Sequence, residues 1–124
     1  MSLHLRYRLW IAEMNSDIDV LRIFGDYLKE LVSKGDNPEV KNRIDYFQQQ
    51  FISLRKDIDE LRDEMHILKW NWQHYSKEAK LIIINYKTYQ KDNHTVLKKR
   101  YFALKENFTD VKEDFIHFEG KWLN

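Results

Sequence analysis

The sequence predicts an all-α protein: a long antiparallel three-helix bundle, or helical hairpin, with coiled-coil packing. Apolar residues recur at alternating steps of four and three over most of the 124 residues. Side chains at that spacing lie along one edge of a helix and face a neighbouring helix throughout its length. The chain also has only three glycines and one proline, which argues against turn-rich β folds.

The first of three such runs predicts helix 1 over residues 3–34. Gly25 is the one position of this run that is not apolar. The apolar positions are Tyr7, Ile11, Met14, Ile18, Leu21, Leu28 and Val32. Gly35 follows where a helix is expected to end. Asn37 is a natural N-cap, and Pro38 suits the first position of the next helix. A connection this short places the second helix antiparallel to the first.

The second run predicts helix 2 from Pro38 to about residue 80. Its apolar positions are Val40, Ile44, Phe47, Phe51, Leu54, Ile58, Leu61, Met65, Leu68, Trp72 and Tyr75. We expect an irregular connection over residues 81–91, because Leu81–Ile84 is apolar all round and the residues after it have poor helix propensity. The alternative is one unbroken helix to about Tyr89, whose overhang a second chain would cover.

The third run predicts helix 3 over residues 92–119. Its apolar positions are Leu97, Tyr101, Leu104, Phe108, Val111, Phe115, Phe118 and Trp122. The three helices form a single helical domain over residues 1–124. The predicted architecture resembles a spectrin repeat in shape only, and a shared shape does not fix a function.

Charge and composition limit the partners and the location. Lys and Arg total 21 against 20 for Asp and Glu, so the net charge of +1 does not indicate a nucleic-acid or membrane partner. No apolar run approaches the ~20 residues needed to cross a bilayer. Arg6 and Arg8 interrupt the N-terminal apolar stretch, which is unlike a secretory signal. We therefore expect a cytoplasmic protein with no membrane partner.

No pattern of residues predicts catalysis. The chain has no cysteine, no Gly-x-Ser-x-Gly motif and no glycine-rich phosphate loop. Asp63 and His66 lie three residues apart, as do Asp114 and His117, which is the acid–histidine spacing of di-iron bundles. The register turns both pairs away from the seam, and the interior that it predicts contains no carboxylate. We therefore predict no enzyme, no metal and no cofactor.

Surplus apolar surface points instead to protein–protein interaction. Helix 1 is apolar over more than half of its circumference, with Asp17 the exception in a second stripe, and so needs more than one neighbour. Helix 3 has a smaller second stripe at Phe102 and Ile116. Large aromatic side chains, which bury much area at little entropy cost, also gather at residues 69–75. The predicted interface residues are Trp10, Val20, Ile23, Tyr27 and Trp70.

These features predict a non-enzymatic interaction or scaffolding bundle. We expect it to self-associate as a dimer or to bind a helix of another protein. A structural aromatic cap on the end of the bundle is the alternative interpretation of residues 69–75.

A basic patch supports a second function, that of a nucleic-acid-associated helical protein. Lys98, Lys99 and Arg100 lie near the start of helix 3, and phosphate contacts require such clusters. Acidic residues follow at Glu106 and Asp110, so a solvated helix end explains the same pattern.

Overall fold

In the part of the chain that the structure describes, three α-helices pack into a bundle. The computed structural model describes the backbone of residues 3–32, 37–74 and 86–122, and the side chains of residues 5–32, 37–67 and 94–121. The helices are α1 (Leu3–Val32), α2 (Pro38–His74) and α3 (Tyr86–Trp122). α2 packs against both α1 and α3, which confirms the predicted all-α three-helix bundle.

The residues at the start of α2 explain why the helix begins there. The Asn37 side-chain oxygen accepts a hydrogen bond from the backbone N–H of Glu39 at 3.0 Å. The Asn37 carbonyl accepts another from the backbone N–H of Lys41, also at 3.0 Å. Pro38 has no N–H to satisfy at the first helical position. Asn37 and Pro38 therefore have the roles that the sequence predicted for them.

α3 begins earlier than predicted. The sequence placed its start near residue 92, whereas the helix begins at Tyr86, so the prediction of an irregular connection is wrong for residues 86–91. The low propensity of these residues costs only a few tenths of a kcal/mol each, and extending an existing helix avoids the cost of nucleation. An unbroken second helix to Tyr89 does not occur, because residues from Tyr86 onward belong to α3. The predicted end of helix 2 near residue 80 lies outside the described residues.

Contacts between side chains define the direction of each helix. Residue numbers rise along α1 as they fall along α2 and rise along α3, so α2 is antiparallel to the other two helices. The contacts that show this are Phe24 with Phe51 and Phe115, Asn15 with Arg62, and Trp10 with Tyr101.

The core follows the four–three pattern. Each described position of the three runs is buried or half-buried except Val32, which is 52% exposed at the end of α1. Fully burying one large apolar side chain contributes roughly 1.5–3 kcal/mol, so the pattern supplies most of the driving force for folding. Within the described part of the chain, no helix combines the length and apolarity required to cross a membrane.

Phenylalanines pack around the level of Phe24. Phe51 and Phe115 contact each other edge to face, with ring centroids 5.3 Å apart, and Phe47 lies 5.3 Å from Phe118. Edge-to-face and tilted aromatic pairs add roughly 0.5–1.5 kcal/mol beyond their burial. This cluster joins all three helices at one level of the bundle.

Gly25, the one non-apolar position of the first run, leaves a gap in the core that a methyl group fits. A Cβ built at this position meets nothing within 4 Å, and Gly25 has no positive φ. We expect Gly25→Ala to raise the free energy of unfolding by about 1 kcal/mol, because alanine has the higher helix propensity.

Denaturant unfolding followed by circular dichroism measures this change. Gly120→Ala is the matched control, since its Cβ also meets nothing within 4 Å but lies in the last turn of α3, where helices fray. We expect a smaller gain there. A loss of stability in Gly25→Ala would contradict the open space at this position.

Candidate interaction surface

Large side chains make the contact between α1 and α3. Three of these contacts are the Trp10–Tyr101 ring stack at 4.7 Å, the Asp17–Lys105 ion pair at 2.7 Å and the Phe24–Phe115 ring contact at 4.6 Å. The outer surface along this contact is called the α1–α3 face. Its apolar members are Leu9, Trp10, Val20, Ile23 and Tyr27 of α1 with Phe102 and Ile116 of α3.

An aromatic cluster around Trp10 forms one end of this contact. The Trp10 ring is nearly parallel to the rings of Tyr101, at 4.7 Å, and His94, at 5.9 Å. Phe102 meets it edge-on at 6.1 Å. These offset and edge-to-face arrangements are favourable for π systems. Half-buried Trp10 thus holds α3 against α1 and also borders the exposed surface.

His94 lies at a seam position, three residues before Leu97. Its Nδ1 atom and the Tyr7 hydroxyl lie 3.3 Å apart and share a hydrogen bond. Burial lowers the pKa of His94, and the nearby positive charges of Arg6 and Lys98 lower it further. Burial also raises the pKa of Tyr7 to about 12. The neutral forms of both groups are therefore favoured.

A second tyrosine hydroxyl ties α3 to α1. The Tyr101 hydroxyl donates a hydrogen bond to a Glu13 carboxylate oxygen. Burial raises the pKa of Tyr101, and the hydrogen bond to Glu13 raises it further. The tyrosine therefore stays protonated as a donor, and its bond satisfies a polar atom at the edge of the core.

Asp17 and Lys105 form a polar contact inside the bundle. Asp17 is 7% exposed, and its carboxylate lies 2.7 Å from the Lys105 ammonium. The same ammonium lies 5.4 Å from the centroid of the Phe108 ring. The prediction of an interior without carboxylates is therefore wrong. The physical reason is that the stripe containing Asp17 faces α3, where the flexible Lys105 side chain reaches the carboxylate and neutralises it.

Several large apolar side chains on the α1–α3 face remain in solvent. The exposed fractions are 47% for Leu9, 59% for Ile23, 53% for Phe102 and 52% for Ile116. The sequence placed Ile23 among the interface candidates. It recorded Phe102 and Ile116 only as a stripe of helix 3, because the stripe alone does not show which helix lies beside it.

The other predicted interface residues have mixed positions. Val20, Tyr27 and Trp10 are half-buried and pack against the core. The Tyr27 hydroxyl donates a hydrogen bond to Glu119 of α3 at 3.4 Å. Trp70 belongs to α2. Its side chain and the other side chains of residues 69–75 lie outside the described residues.

The three basic residues predicted to contact nucleic acid differ in their contacts. Lys98 and Lys99 are exposed, whereas Arg100 forms an ion pair with Glu64 of α2. An ion pair of this kind reduces the positive charge that the patch presents to a phosphate. The two lysines are therefore the stronger part of the patch.

The acid–histidine pairs lie on the surface. Asp63, His66, Asp114 and His117 are all exposed. Among the side chains that the structure describes, no group of three or more acidic or histidine residues is close enough to hold a metal ion.

Removing one member of the buried ion pair leaves its partner without compensation. We expect Lys105→Met to lower the free energy of unfolding by about 2 kcal/mol, because the carboxylate of Asp17 would remain buried and unpaired. The double variant Asp17→Leu/Lys105→Met should recover most of that loss. Urea unfolding checks both values, with Lys112→Met on the same flank as the control for charge. A double variant less stable than Lys105→Met would contradict the pairing.

The lowered pKa of His94 predicts a dependence of stability on pH. The unfolded chain, with a histidine pKa of 6.5, binds a proton more readily than the folded protein. The stability contribution is therefore complete above about pH 6.5 and decreases as the pH falls towards the lower folded pKa. We expect His94→Gln to flatten this decrease between about pH 7 and pH 5 in thermal unfolding. His117→Gln, at an exposed site of the same helix, is the control substitution; an equal effect of both substitutions would contradict the role of His94.

Comparison of the chain with known proteins identifies no relative. No protein-family model matches the chain, and no curated protein or solved structure is significantly similar to it. The function has to be inferred from the side chains of the α1–α3 face.

Proposed function

We propose that the protein is a non-enzymatic interaction bundle that self-associates through its α1–α3 face. The observation that carries the proposal is the exposure of four large apolar side chains on these two helices, each about half exposed: Leu9 and Ile23 of α1, and Phe102 and Ile116 of α3. Half-buried Trp10, Val20 and Tyr27 of α1 pack against the core, and Trp10 also contacts Phe102. Apolar surface of this extent is typical of protein–protein contact, and aromatic residues dominate the binding energy of such surfaces.

The exposed Ile52 lies among polar side chains. Ile52 of α2 is 63% exposed, but Gln49 and Lys56 lie one helical turn on either side of it and are exposed as well. Single exposed apolar side chains are common on soluble proteins and need no partner. On the α1–α3 face, in contrast, exposed Phe102 of α3 packs against Trp10 of α1.

The composition of the interior supports a structural role over a catalytic one. The described core is filled by apolar and aromatic side chains, and its buried carboxylate, that of Asp17, forms an ion pair with Lys105. Catalytic sites require polar groups that converge on a concave space. A filled apolar interior instead makes a stiff bundle that presents its outer surface. We place this activity in the cytoplasm, as the sequence predicted.

Nucleic-acid association is the second candidate. The observation that favours it is the convergence of positive charge near His94, where Arg6 of α1 and Lys98 of α3 both lower the histidine pKa. The pairing of Arg100 with Glu64 weakens it. Salt separates the two functions, because phosphate contacts weaken steeply as salt rises whereas apolar association persists.

Placing a charge in the α1–α3 face should disrupt self-association. We expect Ile23→Lys/Ile116→Lys to lower the solution mass to that of the monomer at concentrations where the unchanged protein associates. The reason is that two lysines would lose hydration in an apolar contact. Light scattering coupled to gel filtration measures the mass.

Ile52→Lys is the matched control, since it makes the same change at an equally exposed position on α2. It should leave the solution mass unchanged, and circular dichroism should show that all variants keep their helix content. Equal masses for Ile23→Lys/Ile116→Lys and the unchanged protein would contradict self-association through this face.

A further inference from the structure

Charge on the α1–α3 face differs between its two ends. Arg6 of α1 and Lys98 and Lys99 of α3 lie at the end where α1 begins. Glu113 and Glu119 of α3 lie at the opposite end. Opposite charge at the two ends of one surface is complementary to a copy of that surface turned end for end.

The outward residues of α3 show this complementarity position by position. Thr109 is exposed and lies at the centre of the pattern. In four pairs of residues that lie equally far before and after it, the two members have either opposite charge or a shared apolar character. The pairs are Lys99 with Glu119, Phe102 with Ile116, Lys105 with Glu113, and Glu106 with Lys112.

The exposed apolar residues of α1 are also arranged symmetrically about one central residue. Leu9 and Ile23 each lie seven residues from Ser16, which is exposed. The contacts of Trp10 with Tyr101 and of Phe24 with Phe115 place Ser16 and Thr109 in the middle part of the same face. Both central residues are small, so they allow two surfaces to approach closely.

We infer that the partner bound by the α1–α3 face is a second copy of the chain, packed antiparallel across a two-fold axis that passes near Ser16 and Thr109. This inference rests on the proposed function, to which it adds the relative orientation of the two copies. An isologous two-fold contact places each residue against the position that the axis relates to it. Lys99 therefore faces Glu119 of the other copy, and Phe102 faces Ile116.

The size of the face is sufficient for such a contact. From Arg6 to Glu30 it is roughly 36 Å long at about 1.5 Å per residue, and two adjacent helices are roughly 20 Å wide. It offers roughly 700 Å² per copy, near the ~800 Å² per partner of a standard stable interface.

The opposite orientation is disfavoured by charge. A two-fold axis along the helices would place Lys98 and Lys99 of one copy near Arg6 of the other, with like charges together. Lys105 is already neutralised by Asp17, so the Lys99–Glu119 pair carries most of the electrostatic preference. Two such pairs form in each dimer because of the symmetry.

Charge reversal with mixing tests the orientation. Lys99→Glu and Glu119→Lys are each expected to raise the dimer dissociation constant about tenfold at low salt, because each places two like-charged pairs in the homodimer. An equimolar mixture of the two variants restores both attractive pairs, so its dissociation constant should return to that of the unchanged protein. Sedimentation equilibrium measures all three constants, and salt near 1 M should reduce the differences, since the Debye length is then ~3 Å.

Lys56→Glu, an exposed reversal on α2, is the matched control and should leave the dissociation constant unchanged. Tighter association of Lys99→Glu would overturn the antiparallel orientation in favour of the parallel one. If neither reversal has an effect while Ile23→Lys/Ile116→Lys still dissociates the protein, the orientation is overturned and the proposed function stands. A monomer at all concentrations for the unchanged protein would overturn the inference together with self-association.

Discussion

Burial of one continuous apolar edge on each helix is the constraint on which the bundle depends. The steps of four and three keep that edge pointing at the neighbouring helices from Tyr7 to Leu28, from Ile44 to Met65 and from Leu97 to Phe118. Helix propensity by itself contributes little to the stability of a helix in water, so the stability of these helices comes mostly from this packing. The apolar edges of α1 and α2 must contact each other along their length. Because the connection between the two helices is short, they can do so only by packing antiparallel.

The contact between α1 and α3 is of a different kind. Rings and long side chains span it, with stacked Trp10 and Tyr101 near one end and the Asp17–Lys105 pair near the middle. A buried ion pair contributes little net stability, but it penalises arrangements that would leave either charge unpaired. We expect the pair to favour the observed register of α3 on α1. Residues that span this contact reach its outer surface, so the same side chains serve packing and the proposed interaction.

The two parts of the proposed interface use different physics. The apolar residues on the α1–α3 face supply binding energy by leaving water. The charges at its ends supply little energy each, but they discriminate between orientations of the same two surfaces. This division explains why a protein with a net charge of +1 can still have a strong directional preference. Net charge is a sum, whereas orientation depends on where along the helix each charge lies.

The sequence alone determined the three buried edges and the Asn37 cap, because these follow from the spacing of residues within one helix. Only the tertiary structure showed that α3 begins at Tyr86 and that Asp17 is buried against Lys105. It also showed that Phe102 of α3 packs against Trp10 of α1. Those features depend on which helix lies beside which and in what direction. Periodicity reports that an edge is covered but does not identify the residues that cover it.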